Sequence, residues 1–203
     1  VHMSFFAITA VLLGSLKSAL SREKELARTD GLTGLMNVRA FKAAAQQVFD
    51  LAARHGHVTA FAYMDVDDFK YVNDSRGHSE GDRALCAVAA ILSGAMRRTD
   101  LVGRVGGDEF AVLLPETGAD AARKVFSSLR EHLERSTRES DMPITLSIGV
   151  AIFLQAPTTV EAALLAADEL MYRVKNGGKN SLVVVEMPET GQSGGQGELG
   201  HRL

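Results

Sequence analysis

Between Asp30 and Glu186 the apolar residues switch repeatedly between the period of a helix and that of a strand, and this alternation constrains the fold most. Phe41, Ala44, Ala45, Val48, Leu51 and Ala52 make one helical stripe, and Val58 to Met64 is a short apolar run suited to a buried strand. Ala84, Leu85, Val88, Ile91, Leu92 and Ala95 make a second stripe. Leu101 to Val105 and Phe110 to Leu114 read as two strands joined across Gly106, Gly107, Asp108 and Glu109, the pattern of a hairpin. A third helix is marked by Val125, Phe126, Leu129 and Leu133, and Ile144 to Phe153 is a further strand. A fourth helix carries Val160, Ala163, Leu164, Ala167, Leu170 and Met171, with Gly177 and Gly178 placed to cap its end. Ser181 to Val185 closes the series as a β-branched strand. The order α-β-α-β-β-α-β-α-β predicts one five-stranded sheet with helices packed against it and a hairpin inside.

A chain of 203 residues predicts one such domain with something appended. Its charge, 22 basic against 25 acidic residues for a net −3, argues against a nucleic-acid coat, which needs a clustered basic excess. With 46% apolar and 23% charged residues, wholesale disorder is excluded. The single cysteine, Cys86, excludes an internal disulfide and a cysteine-built zinc cluster, and it fits a reducing compartment.

The ends of the chain read differently from its body. Val1 to Met3 resembles a residual tag, and residues 1–29 as a whole read as tag plus an apolar linker helix. The run from Phe5 to Leu13 is shorter than the roughly 20 residues a membrane span needs. Lys17, Arg22, Lys24 and Arg28 follow it, as basic residues follow the cytoplasmic end of a membrane helix whose beginning lies outside this sequence. An ordinary helix packing on a partner is the alternative. Leu13, Leu16, Leu20 and Ala27 stand near heptad spacing, but Glu23 interrupts them. Residues 187–203 are rich in glycine and read as a flexible tail.

Two acidic clusters lie where a strand meets a turn: Asp65, Asp67 and Asp68 after the first strand, and Asp108 with Glu109 at the hairpin tip. Carboxylates at strand ends face a crevice, and magnesium favours a few carboxylates together with phosphate oxygens and water. Two ions held about 4 Å apart in such a place would suit phosphoryl transfer. Gly106 and Gly107 would let a triphosphate approach the backbone. Asp and Gly are also the commonest turn residues, so each cluster alone is open to a plain structural reading.

Five blocks in order resemble the GGDEF family, the diguanylate cyclases. They are Asp30 to Asn37, Asp65 to Asp74 with Gly77, His78, Gly81 and Asp82, Arg104 to Phe110, Leu146 to Ala151, and Ala167 to Asn180. The resemblance covers residues 30–186 and implies a palm-like α/β (α+β) domain related to class III nucleotide cyclases. Its central sheet would have five strands, mainly antiparallel, flanked by helices. It implies condensation of two GTP molecules into cyclic di-GMP and two pyrophosphates, with magnesium (or manganese) as cofactor. A homodimer would supply both halves of the reaction centre, with no nucleic-acid partner. The domain would sit in the cytoplasm below an upstream sensor and an inner-membrane anchor.

Carried over by position, Asp65, the Val66 carbonyl and Asp108 would hold metal. Asp108 would also accept the hydroxyl proton, with Glu109 completing the acidic pair. Lys70 would neutralise phosphate charge, and Lys175 and Lys179 would hold the β- and γ-phosphates near Gly106 and Gly107. Asn73 and Asp82 match the family's guanine readers, since an amide and a carboxylate suit the guanine edge. His78 lies near that pocket in the family or simply orders its loop. Arg97 and Asp100 match the Arg-x-x-Asp form of the family's product-inhibition site; a solvated charge cluster at a helix end is the alternative. Val38 and Lys179 depart from the usual arginines, and lysine lacks the two-pronged guanidinium. A catalytically silent receptor for cyclic di-GMP or GTP, a structural dimerisation domain and a cyclase of relaxed base specificity are the rival readings. The intact acidic signature disfavours the first, and the four polar residues Asp65, Asn73, Asp82 and Asp108 together disfavour the second. Asn73 and Asp82 disfavour the third.

Overall fold

The computed structural model describes residues 28–138 and 144–188, so the apolar segment near the amino terminus and most of the glycine-rich tail lie outside the described residues. In chain order the elements are β1 (Met36–Asn37), α1 (Val38–His55), β2 (Thr59–Val66), α2 (Phe69–Arg76), α3 (His78–Ala95), β3 (Leu101–Arg104), β4 (Glu109–Pro115), α4 (Ala119–Arg138), β5 (Leu146–Phe153), α5 (Val160–Asn176) and β6 (Leu182–Glu186). The strands form one sheet in the order β1-β3-β4-β2-β5-β6. The β2–β4, β2–β5 and β3–β4 pairs are antiparallel, and the two edge pairs, β1–β3 and β5–β6, are parallel.

The expected fold class stands, with two corrections of detail. The sheet has six strands rather than five, because the two residues Met36 and Asn37 pair with Gly103 and Arg104. The second helical stripe belongs to a longer helix starting at His78, preceded by the separate helix α2, which the apolar pattern does not mark. Helix ends follow local chemistry. The Asn37 side chain accepts from the Ala40 amide at 2.9 Å to start α1, and Gly56 ends it at φ 68°. Gly177 ends α5 by donating to the carbonyls of Arg173 and Val174.

Alternation along β2 sends successive side chains to opposite layers. Ala60, Ala62, Met64 and Val66 enter the core shared with α3 and α4, alongside Leu85, Leu92, Phe126 and Leu133. Phe61 enters the opposite core with α1 and α5, where its ring meets Phe41 edge-on at 5.9 Å and Phe49 at 6.1 Å. Tyr63 and Asp65 follow Phe61 on that same side as the strand runs out of apolar residues. Gly149 on β5 is what lets α5 lie so close. A Cβ there would come within 2.2 Å of the Met171 nitrogen and 2.3 Å of the Ala167 carbonyl oxygen. Among the described residues no helix is long and apolar enough to cross a membrane.

Candidate functional site

The antiparallel register of β2 and β4 sets Asp65 opposite Glu109, and the Val66 amide donates to the Asp108 carbonyl at 3.1 Å. The two acidic clusters, far apart in the chain at Asp65 and Asp108, therefore meet at one end of the sheet. Asp65 is buried; one carboxylate oxygen, Oδ2, pairs with Lys175 Nζ of α5 at 2.6 Å. Its other oxygen, Oδ1, is buried with no hydrogen-bond partner. Burial is the main influence on this carboxyl and raises its pKa to about 6; the Lys175 hydrogen bond opposes the rise, and Asp108 and Glu109 add to it.

Glu109 folds back over Gly106, so that a Cβ on Gly106 would lie 1.9 Å from its Oε2. Tyr63, one step along the same face of β2, hydrogen-bonds that carboxylate. Burial and then the Glu109 charge hold the Tyr63 phenol protonated far above its ordinary range. The turn between β3 and β4 is held from behind. Arg104 donates to the Gly107 carbonyl from Nε at 3.1 Å and from Nη2 at 2.6 Å, while its Nη1 reaches Asp30 at 3.1 Å. Burial works to raise the Asp30 carboxyl, but hydrogen bonds from Thr33 and the nearby Arg104 leave it below its usual value.

An unpartnered, buried carboxylate oxygen facing further carboxylates is costly unless a cation can arrive. The donor set is hard oxygen, which fits magnesium or manganese. Among the described residues no three His, Cys, Asp or Glu side chains are grouped to cage an ion by themselves. An ion at Asp65 would thus draw remaining ligands from phosphate and water, as magnesium commonly does.

The other residues singled out in the sequence fall into three places. Lys179 Nζ pairs with Asp68 at 2.6 Å, just beyond the end of β2. Lys70 and Asn73 lie on α2, and His78 and Asp82 on the first turns of α3. Asn73 is held against Gly81, where a Cβ would stand 2.0 Å from Asn73 Oδ1, so the gap between these helices depends on that glycine. Arg97 and Asp100 lie beyond the far end of α3, an 18-residue helix about 27 Å long at 1.5 Å per residue. There the Asp100 carboxylate accepts from the Arg97 amide at 2.7 Å and closes a turn, leaving Arg97 exposed. The sequence shows Asp67 only as one more acid of the first cluster and gives no role to Arg104, which lies in the Arg104 to Phe110 block, or to Tyr63, which is hidden in an apolar strand.

The sheet order, with two carboxylates at the tip of the β3–β4 hairpin beside Asp65, defines an α+β domain with an acidic cluster at one end of its sheet. The family model "Diguanylate cyclase, GGDEF domain" matches residues 27–181, and the chain belongs to that family. It is 36% identical over 174 residues to the response regulator PleD of Caulobacter vibrioides, covering 83% of this chain and 38% of that protein. It is 35% identical over 170 residues to the diguanylate cyclase DgcP of Pseudomonas aeruginosa, covering 82% of this chain and 25% of that protein. The chain thus spans well under half the length of these two relatives. The crystal structure of the GGDEF domain of DgcB from Caulobacter crescentus, in complex with c-di-GMP, superposes with a TM-score of 0.71 at 30% identity. That match covers 77% of this chain and 92% of the DgcB chain.

Proposed function

We propose that this chain is a diguanylate cyclase domain that condenses two GTP molecules into cyclic di-GMP and two pyrophosphates. The observation that carries the reading is the buried, unpartnered Asp65 Oδ1 opposite Glu109 and beside Asp108. DgcP bears the name of this activity, and the DgcB domain was solved with c-di-GMP, which supports the same ligand class here. Each of two chains binds one GTP, and the two sites face each other in a homodimer. The 3′-oxygen of one GTP forms a bond to the α-phosphorus of the other as the bond to the bridging oxygen of pyrophosphate breaks. Repetition with the roles exchanged closes the ring.

Asp108 accepts the proton of the attacking hydroxyl, and Glu109, steadied by Tyr63, completes the acidic pair. Asp65, the Val66 carbonyl and Asp108 would hold a magnesium or manganese ion, which would supply Lewis-acid stabilisation of phosphoryl charge. Lys175 and Lys179 hold the β- and γ-phosphates after leaving Asp65 and Asp68. The exposed Lys179–Asp68 pair gives little resistance, since such pairs are worth about 0–1 kcal/mol. Lys70 adds positive charge to the transition state, and Gly106 and Gly107 admit the phosphates. Asn73 and Asp82 read the guanine edge beside His78. Product returns to Arg97 and Asp100 and holds the domains apart. The domain boundaries proposed are 30–186, with a cytoplasmic location beneath an inner-membrane anchor and an upstream sensor.

The test is incubation of concentrated protein with GTP and magnesium, followed by mass identification of the nucleotides. Cyclic di-GMP from the parent chain and none from Asp108→Ala is the expected result. Near-normal turnover by Asp108→Ala would overturn its role, and binding of cyclic di-GMP with no binding of GTP would favour a silent receptor.

A further inference from the structure

Three non-glycine residues with left-handed backbone gather at the end of β2: Asp68 at φ 54°, Lys179 at φ 63° and Asn180 at φ 42°. Such conformations persist only where their surroundings over-determine them. Asp67 and Arg130 do so here, from opposite sides. The Asp67 side chain is buried, and its Oδ2 accepts from the Asn180 amide at 2.9 Å and from the Thr145 hydroxyl at 2.7 Å. Its Oδ1 accepts from the Ser147 hydroxyl at 2.6 Å, and its own amide donates to the Thr145 carbonyl at 3.0 Å. Arg130, on α4, donates from Nη1 to the Asn180 carbonyl at 3.0 Å and to its side-chain oxygen at 3.2 Å. The turn is tied back as well, with the Lys179 amide on the Val174 carbonyl and the Ile148 amide on the Ser181 carbonyl.

Both Asp67 oxygens are occupied by protein donors, so this carboxylate has a different task from Asp65, whose Oδ1 is free of any. We propose that Asp67 and Arg130 are positioning residues that clamp the Lys179–Asn180 turn and so present the lysine ammonium to the outer phosphates of a nucleoside triphosphate. The inference rests on the reading that Lys179 meets those phosphates. A turn fixed before binding loses little freedom when the ligand arrives, and that saving appears as affinity. The clamp also links α4, on the opposite layer of the domain, to the phosphate end of the site. Asp67 spans β2, β5 and the turn before β6, while Arg130 ties the same turn to the helix.

The experiment compares calorimetric binding of magnesium with a non-hydrolysable GTP analogue, and of GMP, to the parent chain, Asp67→Asn, Arg130→Gln, Lys179→Ala and the Asp67→Asn/Lys179→Ala pair. Asp67→Asn and Arg130→Gln should each weaken the triphosphate about tenfold, the effect of one well-placed charge-assisted hydrogen bond. GMP, which lacks both outer phosphates, should change less than about twofold, and Lys179→Ala should add little to Asp67→Asn. Amide exchange across residues 177–181, measured without nucleotide or metal, should accelerate in Arg130→Gln, a variant that leaves the buried carboxylate in place. Equal weakening of GMP and triphosphate, full additivity with Lys179→Ala, or unchanged exchange in Arg130→Gln would overturn the clamp. Failure of the parent chain to bind the triphosphate would instead overturn the cyclase reading together with it.

Discussion

Replacing Asp65 by asparagine should stabilise the metal-free chain while removing its response to magnesium and nucleotide. The carboxyl of Asp65 is raised from 3.8 to about 6, chiefly by burial, with Asp108 and Glu109 adding to it. A rise of roughly 2 units corresponds to about 3 kcal/mol by which the charged form destabilises the native state relative to the unfolded chain at neutral pH. The attraction of Lys175 is already contained in that net rise. Asparagine keeps the shape and discards the charge, but it leaves Lys175, one-third exposed, to water alone. A gain of about 1–2 kcal/mol is therefore expected, or roughly 2–8 °C in Tm for a domain of this size. The sign follows from which state holds the proton more tightly. Native Asp65 does, so its unfavourable contribution is absent below about pH 4, grows between about pH 4 and 6, and is complete above. Thermal unfolding of both proteins with chelator, at pH 7.5 and near pH 4, reads this directly. The variant should melt higher at pH 7.5 and level with the parent near pH 4, and only the parent should gain stability from magnesium with a GTP analogue. A variant that melts lower at pH 7.5 without metal, or a difference that is the same at both pH values, would refute the account.

Gly81→Ala should leave stability within about 1 kcal/mol, because the atom it meets is the end of the flexible Asn73 side chain; displacing that amide should weaken GTP roughly ten- to a hundredfold, measured as a KM or Kd. Gly149→Ala meets helix backbone rather than a side chain, so it should cost about 3 kcal/mol or prevent folding, as read from denaturant unfolding. On the proposed inhibitory site, Arg97→Ala should keep turnover while raising the product concentration that inhibits it about tenfold, since a hydrogen bond to a charged phosphate is worth about 1.5–3 kcal/mol; an unchanged inhibition curve would remove the residue from that site.

The legible parts of the fold are those with enough apolar residues to set a period. The buried strands β2, β4 and β5 and the stripes of α1, α4 and α5 qualify. Helix α2 escaped because Val72 is its one fully buried residue, and with only Phe69 beside it against the core, eight residues give no stripe. Strand β1 escaped because two residues cannot alternate. In the site, the strand-end carboxylates were readable as a pair because a hairpin and a neighbouring strand meet at one end of a sheet. Asp67 was not. Its partners Thr145, Ser147 and Asn180 lie 78, 80 and 113 positions away, and only the folded register of β2 against β5 brings them together. An aspartate between two aspartates reads as one more acid until its donors are counted.

That count separates the three neighbouring acids by what they still lack. Asp67 has every acceptor site it needs met by neutral donors, so a cation adds little there. Asp68 is exposed and leans on Lys179, a contact that water and salt weaken readily. Asp65 is buried like Asp67, but it alone is bound to a lysine on one oxygen and left bare on the other. On the proposed reading, Asp65 would be shared between Lys175 and a metal ion at its bare oxygen, and a lysine loosened from it would stand beside the phosphates. Metal and triphosphate would then bind with positive coupling, each removing an unfavourable charge contact that the other would otherwise face. On that reading the two lysines and the bare oxygen would make one exchange of ion pairs rather than three separate sites.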